Sequence, residues 1–232
     1  MAPWNIGDRN SKEVCINYMN TAKRVVLATG NPGKAKEFNE LLGGHFQIVL
    51  QTDLDLEPAE EVGSTFLENA LLKARFASEQ SGLPAIADDS GLEVLALEGA
   101  PGVYSARYAG QDASDSENNR KLLKALEMLP AAERSAQFRC VVVYVRSSDD
   151  PQPLIAEGIW QGAIGLSERG EGGFGYDPLF VDIGLSSDAV ITDGILSSSK
   201  ASAELSSAEK NVRSHRGQAV RDLCAKLQEA GA

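Results

Sequence analysis

Residues Arg24–Phe38 read RVVLATGNPGKAKEF, and this stretch decides the class of fold. Arg24–Thr29 is a short apolar run of strand character. It feeds Gly30-Asn31-Pro32-Gly33-Lys34, after which Ala35, Phe38 and Leu42 keep helical spacing. Asn31 is placed to cap that helix, Pro32 to open it and Gly43-Gly44 to stop it. A strand that turns through glycines into a helix is an α/β opening.

The flanking sequence extends the pattern. Phe46–Gln51 reads as a second strand. Ser64–Ser81 is the clearest helix: Phe66, Ala70, Ala74 and Ala77 fall on one face, with Leu67 and Leu71 beside it. Ala85–Ala87 reads as a short strand, Asp88-Asp89-Ser90-Gly91 as a turn, and Leu92–Leu97 as a strand again. Gly99–Gly110 is a glycine-rich loop, and a helix follows near Ser116–Leu129. Ala136–Arg146 and Leu154–Ile164 form a long hairpin around the turn-rich Ser147–Pro153. Ser186–Ser202 lacks a pattern and reads as mobile surface. The last helix is expected over Ser207–Glu229, with Val212, Val220, Leu223 and Leu227 inward. There is no internal repeat. The order of elements predicts an α/β fold with a mixed sheet.

Composition excludes several classes. With 232 residues, 43% hydrophobic, the chain can bury a core without staples. Cys15, Cys140 and Cys224 are widely spaced and odd in number, which argues against a disulfide framework and for a reducing cytoplasm. No apolar run reaches the roughly 18–20 residues that span a membrane. Residues 1–18 are polar and lack the apolar stretch of a secretory signal. They read as a loose, disordered extension, with Met19 a candidate natural start. We expect an extension over residues 1–23 and one domain over 24–232. The net charge of −11 repels a phosphate backbone, so nucleic acid is a poor partner. A nucleotide remains possible, because local cations and a metal outweigh the global field at short range.

The loop Thr29-Gly30-Asn31-Pro32-Gly33-Lys34 offers unpaired N–H groups at a helix N-terminus, a geometry suited to phosphate. It is not a Walker A loop, since the glycines are three apart and Ala35 follows the lysine. The plainer reading is an ordinary strand–helix turn. Asp88-Asp89 places two carboxylates at a strand end, costly if buried unpaired and matched by Mg²⁺, with Glu60-Glu61 as further ligands. Alternatively the aspartates form a solvated turn and the glutamates cap the next helix. Gly170–Pro178 combines glycine freedom with Phe174 and Tyr176, rings that stack on a base or fill a core. Lys210, His215 and Arg216 lie near one another on the last expected helix, although Lys210 and His215 are five apart and share a face imperfectly. His45 is expected on a surface loop.

Together the stretches Val25–Phe38, Glu60–Ala74, Ala85–Val94, Gly99–Gly110, Gly172–Phe180 and Ser214–Ala219 resemble, in order, the non-canonical purine nucleoside triphosphate pyrophosphatases, the RdgB-type or inosine triphosphate pyrophosphatase family. Each motif alone is weak; their order makes the signal. The N-terminal extension and a longer Asp182–Ser202 segment depart from the pattern. The resemblance implies an ITPase-like, Maf/Ham-type fold: an elongated mixed sheet with two lobes and a central nucleotide cleft. It implies Mg²⁺, a homodimer, and hydrolysis of ITP, dITP and XTP to the monophosphate and pyrophosphate. Carried over, Asp89 is general base and metal ligand, with Glu60 or Glu61 as second ligand. Thr29, Gly30, Asn31, Pro32, Gly33, Lys34 and Ser90 bind substrate. Phe174, Gly175, Tyr176 and Asp177 hold the base, and Lys210, His215 and Arg216 complete the site. Competing readings are a Maf-like pyrophosphatase acting on other nucleotides, a non-catalytic nucleotide sensor and a nucleic-acid-binding module.

Overall fold

The computed structural model describes residues 23–42, 46–184 and 191–231. The N-terminal extension up to residue 22, the Gly43-Gly44 stop, His45 and residues 185–190 lie outside the described residues.

The strands are β1 (Arg24–Leu27), β2 (Gln47–Leu50), β3 (Ala85–Val94), β4 (Ser135–Val145), β5 (Leu154–Ile164) and β6 (Phe180–Val181). They form one mixed sheet in the order β2-β1-β3-β4-β5-β6. β1 runs parallel to both β2 and β3, while β3, β4, β5 and β6 pair antiparallel. Parallel neighbours need crossovers. Helix α1 (Pro32–Leu42) supplies the first and α2 (Phe66–Ser81) lies on the second.

Alternation along β1 sorts the core. Val25 and Leu27 pack with Ala35, Phe38 and Leu42 of α1 and with Val220, Leu223 and Leu227 of the C-terminal helix. Val26 and Ala28 pack on the other face, against Phe66, Ala70, Ala74 and Ala77 of α2. Burying a side chain such as Phe38 stabilises by about 1.5–3 kcal/mol, so Phe38→Ala would loosen α1 from the sheet. Farther along the long strands, Leu92, Phe138, Trp160 and Ile164 pack with Leu122 of α3 (Asp115–Ala125), with Leu179 and with Phe180.

The structure corrects the expected Asp88–Gly91 turn, because β3 runs unbroken through it. Asp88 and Asp89 pair with Val142 and Val141 of β4. Their backbones keep the ladder, and side chains from both faces receive their charges. The strand ends at Val94, and Leu95–Leu97 is a 3-10 turn. The last expected helix is also two helices, α5 (Ser207–Arg213) and α6 (His215–Glu229). α4 (Asp193–Ser198) precedes them. Ser214 takes an extended conformation and caps α6 by accepting from the Gly217 N–H. Gly217 permits the sharp corner, since a Cβ there would lie 1.9 Å from the Asn211 carbonyl oxygen. The break turns Val212 outward, 69% exposed rather than inward. The patternless Ser186–Ser202 contains α4, and Ile191 and Leu196 are buried against Ala163 and Val181. Among its described residues Ile191, Leu196 and Ala201 are the buried apolar ones, and their five-residue spacing matches neither the helical nor the strand period.

Candidate active site

The site begins at the turn after β1. Asn31 caps α1, its Oδ1 accepting from the Lys34 N–H at 3.1 Å. Thr29 Oγ1 accepts from the Asn31 N–H at 3.2 Å. Gly33 faces Phe174, and a Cβ there would come within 2.5 Å of the ring. The turn after β1 and the aromatic loop are thus in contact.

The pleat of β3 sends successive side chains to opposite faces. Asp88 is 1% exposed. Its Oδ2 lies 3.1 Å from Lys34 Nζ and accepts from Arg216 Nη2 at 3.1 Å and from the Ser90 hydroxyl at 3.2 Å. Burial works against its charge, yet Lys34, Arg216 and Lys73 hold the carboxyl well below the usual carboxylate range. Arg216 also pairs with Glu37 of α1 through Nη1. Lys210 Nζ sits 2.8 Å from Glu37 and 2.7 Å from Asp177. A chain of alternating charge therefore runs from Asp88 through Arg216, Glu37 and Lys210 to Asp177. Cys140 lies beside Asp88, and burial, then that carboxylate, pushes its thiol up.

Asp89 faces α2. Its Oδ2 accepts from Asn69 at 3.1 Å and its Oδ1 from the Ser90 N–H at 3.1 Å. Lys73 Nζ lies 3.5 Å from that Oδ1 and only 2.7 Å from Glu61 Oε1. Burial raises the Asp89 pKa; Lys73 and Lys34 pull it down and Glu61 pushes it up, leaving it above the usual value. Burial also opposes the charge on Glu61, but Lys73, Lys34 and Arg107 hold its pKa down.

At the far end, Asp177 fixes the aromatic loop. It accepts from the Phe174 N–H at 2.9 Å and from Ser202 at 2.8 Å. Phe174 stands under two cations, Lys210 Nζ at 4.9 Å and the Arg216 guanidinium at 5.8 Å from its ring centre. Tyr176 is buried, its hydroxyl donating to the Ser105 carbonyl at 2.8 Å. His215 stacks on Phe138 at 4.7 Å and 12°. Burial, with Arg216 and Lys210 nearby, holds its pKa well below 6.5, so it stays neutral.

Beside these groups lies one cavity of about 340 Å³, whose wall includes Asp89 but not Asp88 or Glu37, a size for a small-molecule ligand. Thr29, Gly30, Asn31, Lys34, Asp89 and Ser90 line one part of it. Phe174–Asp177, Lys210, His215 and Arg216 line another. Of the residues expected from sequence, Pro32, Gly33 and Glu60 are not in its wall. Glu60 is exposed, whereas Glu61 is in the wall. The helix cap offered as the alternative for this pair belongs to Thr65 and Glu68.

Sequence reasoning missed Lys73, Asn69 and Glu37. A signal existed for the first two: positions 69 and 73 share the buried stripe of Phe66, Ala70, Ala74 and Ala77, so polar residues there ask for partners. Glu37 gave none, because its partners come from α5 and α6. Among the described residues no three His, Cys, Asp or Glu side chains converge on a metal position. No helix there is long and apolar enough to cross a membrane.

A mixed sheet, a phosphate-suited turn, a split carboxylate pair and a cation-lined far end thus meet in one α/β protein. The Ham1 family model matches residues 25–226, and the chain belongs to the Ham1 family. A relative from Thioalkalivibrio sulfidiphilus, named dITP/XTP pyrophosphatase, is 54% identical over 88% of this chain and 98% of its own length. One of the same name from Yersinia pseudotuberculosis is 52% identical over 90% of this chain and 100% of its own. The solved Ham1 protein of Coxiella burnetii shares 45% identity, covers 89% of this chain and 99% of its own, and superposes with a TM-score of 0.76.

Proposed function

We propose that this protein hydrolyses deaminated purine nucleoside triphosphates, ITP, dITP and XTP, to the monophosphate and pyrophosphate, clearing them from the nucleotide pool. One observation carries the reading. A phosphate-suited loop with Lys34, the carboxylates Asp89 and Glu61, and a ring flanked by cations all line one cavity. Residues 24–232 act as one domain of two lobes, with the nucleotide between them.

In this reading the Thr29–Lys34 loop receives the triphosphate on backbone N–H groups and an ammonium. Phe174 stacks on the base. Arg216 or a backbone N–H donates to the 6-keto oxygen and leaves a 6-amino purine unmatched. Asp89 takes the proton of a water that attacks the α-phosphorus, and the bond to the bridging oxygen breaks to release pyrophosphate. Its raised pKa makes it a stronger base while burial limits its solvation. The donor set fits a divalent cation, because Glu61 and Asp89 already hold a positive charge between them. Mg²⁺ there supplies neutralisation of triphosphate charge and takes few protein ligands. The working form is a cytoplasmic homodimer.

The test is incubation of purified protein and Mg²⁺ with ITP, dITP, XTP, GTP, ATP and dTTP, resolving all phosphate products. Preference for the deaminated purines, with monophosphate and pyrophosphate released, is expected. Preference for dTTP moves the protein to the Maf-like class. A diphosphate plus phosphate overturns attack at the α-phosphorus, and tight binding without turnover makes it a sensor.

A further inference from the structure

Lys73 stands where the reading above needs a metal. Its ammonium is 2.7 Å from Glu61 Oε1 and 3.5 Å from Asp89 Oδ1, and its side chain is only 13% exposed. The other donors in this corner each serve one carboxylate: Arg107 reaches Glu61 at 3.5 Å, and Asn69 reaches Asp89 at 3.1 Å. Among the described residues, Lys73 alone touches both. The carboxylate oxygens keep lone pairs to spare, so hydrogen bonding does not bar a metal ion. Charge does, since a divalent cation against an ammonium in a partly buried corner is strongly repelled.

We propose that Lys73 is the resident counter-ion of the divalent-cation site, holding Glu61 and Asp89 together until the cation displaces it. The inference rests on the metal site of the preceding subsection and adds an exchange of cations to it. The arrangement stabilises two facing carboxylates in the resting protein. It also lowers the apparent affinity for free metal by the fraction of time the site is clear of the ammonium. The displaced ammonium stays in the cavity, where a triphosphate offers it a new anion. Metal and nucleotide then favour each other's binding with no movement of the backbone.

The test is Mn²⁺ binding to nucleotide-free protein, followed by loss of the free-ion paramagnetic resonance signal, in wild type, K73M, E61Q and D89N. K73M is expected to bind Mn²⁺ about tenfold more tightly than wild type, as for a site clear about one-tenth of the time. E61Q and D89N are expected to bind more weakly. Unchanged or weaker binding in K73M, with both carboxylate variants weakened, overturns the counter-ion role and leaves the metal site standing. Wild-type affinity in E61Q and D89N overturns the metal site, and the proposal with it. A second readout needs no variant: saturating Mg²⁺ should raise acetylation of Lys73 by acetic anhydride, relative to the exposed Lys36. Constant reactivity overturns the exchange.

Discussion

Asp88 and Asp89 are consecutive residues of β3, and the pleat gives them different proteins to live in. On the α1 and α6 face, Asp88 is closed in by Lys34, Arg216 and Ser90, and its pKa falls far. On the α2 face, Asp89 has an amide at 3.1 Å and an ammonium at 3.5 Å, and its pKa rises. The burial is similar; the count of close cations is not. A carboxylate saturated with cations is a poor base, and it fixes those cations in place. A carboxylate left short of them is a better base and still has affinity for a cation. Strand geometry thus gives one dipeptide two electrostatic environments.

Substitution by the neutral isostere separates the two. Asp89→Asn should lower turnover by about 10²–10⁴-fold, the usual contribution of a positioned general base. Its unfolding midpoint should stay level or rise, because a strained charge is removed. Near-normal turnover would take Asp89 out of the chemistry. Asp88→Asn should act mainly on stability. Removing one partner from a buried ion pair costs about 3–5 kcal/mol, and we expect the lower end because Glu37 still holds Arg216. Urea unfolding measures this. An unchanged midpoint, with activity lost as in the neighbouring variant, would erase the distinction between the faces.

Legibility in the sequence followed the same division. The strand–turn–helix at Arg24–Leu42, the α2 stripe and the long hairpin were readable because each is set by local period and capping. The β3 strand through Asp88–Gly91 was not, since polar residues in a row mimic a turn unless their partners are known. Those partners arrive from α1, α2 and α6, far away in sequence. The break at Ser214 was hidden for a related reason. Helical spacing continues across it, and only the close approach of Gly217 to Asn211 reveals the corner. The cavity wall was legible residue by residue where motifs carry it. Lys73 lies in the same quoted stretch as Glu61 and showed only as a polar break in the α2 stripe, whereas the partners of Glu37 lie on α5 and α6, far from it in sequence.

The smallest expected effect tests whether the cation-rich side is as positive as the Asp88 geometry implies. His215 lies there, stacked on Phe138, and its pKa is depressed by burial, Arg216 and Lys210. Below about pH 6.5 an unfolded chain protonates this histidine while the folded one does not. The unfolded state then binds more protons, so stability rises with pH through that window and falls as the solution is acidified. The slope contributed is at most about 1.4 kcal/mol per pH unit. His215→Phe keeps an aromatic stack on Phe138 and removes the titration. Its melting temperature between pH 6.5 and pH 5 should fall less steeply than that of the wild type, with any contribution of His45 common to both. Parallel profiles would mean that His215 accepts its proton in the folded protein. The positive field of Lys210 and Arg216 would then be weaker at His215 than their crowding around Phe174 implies, and the contrast between the two faces of β3 would shrink with it.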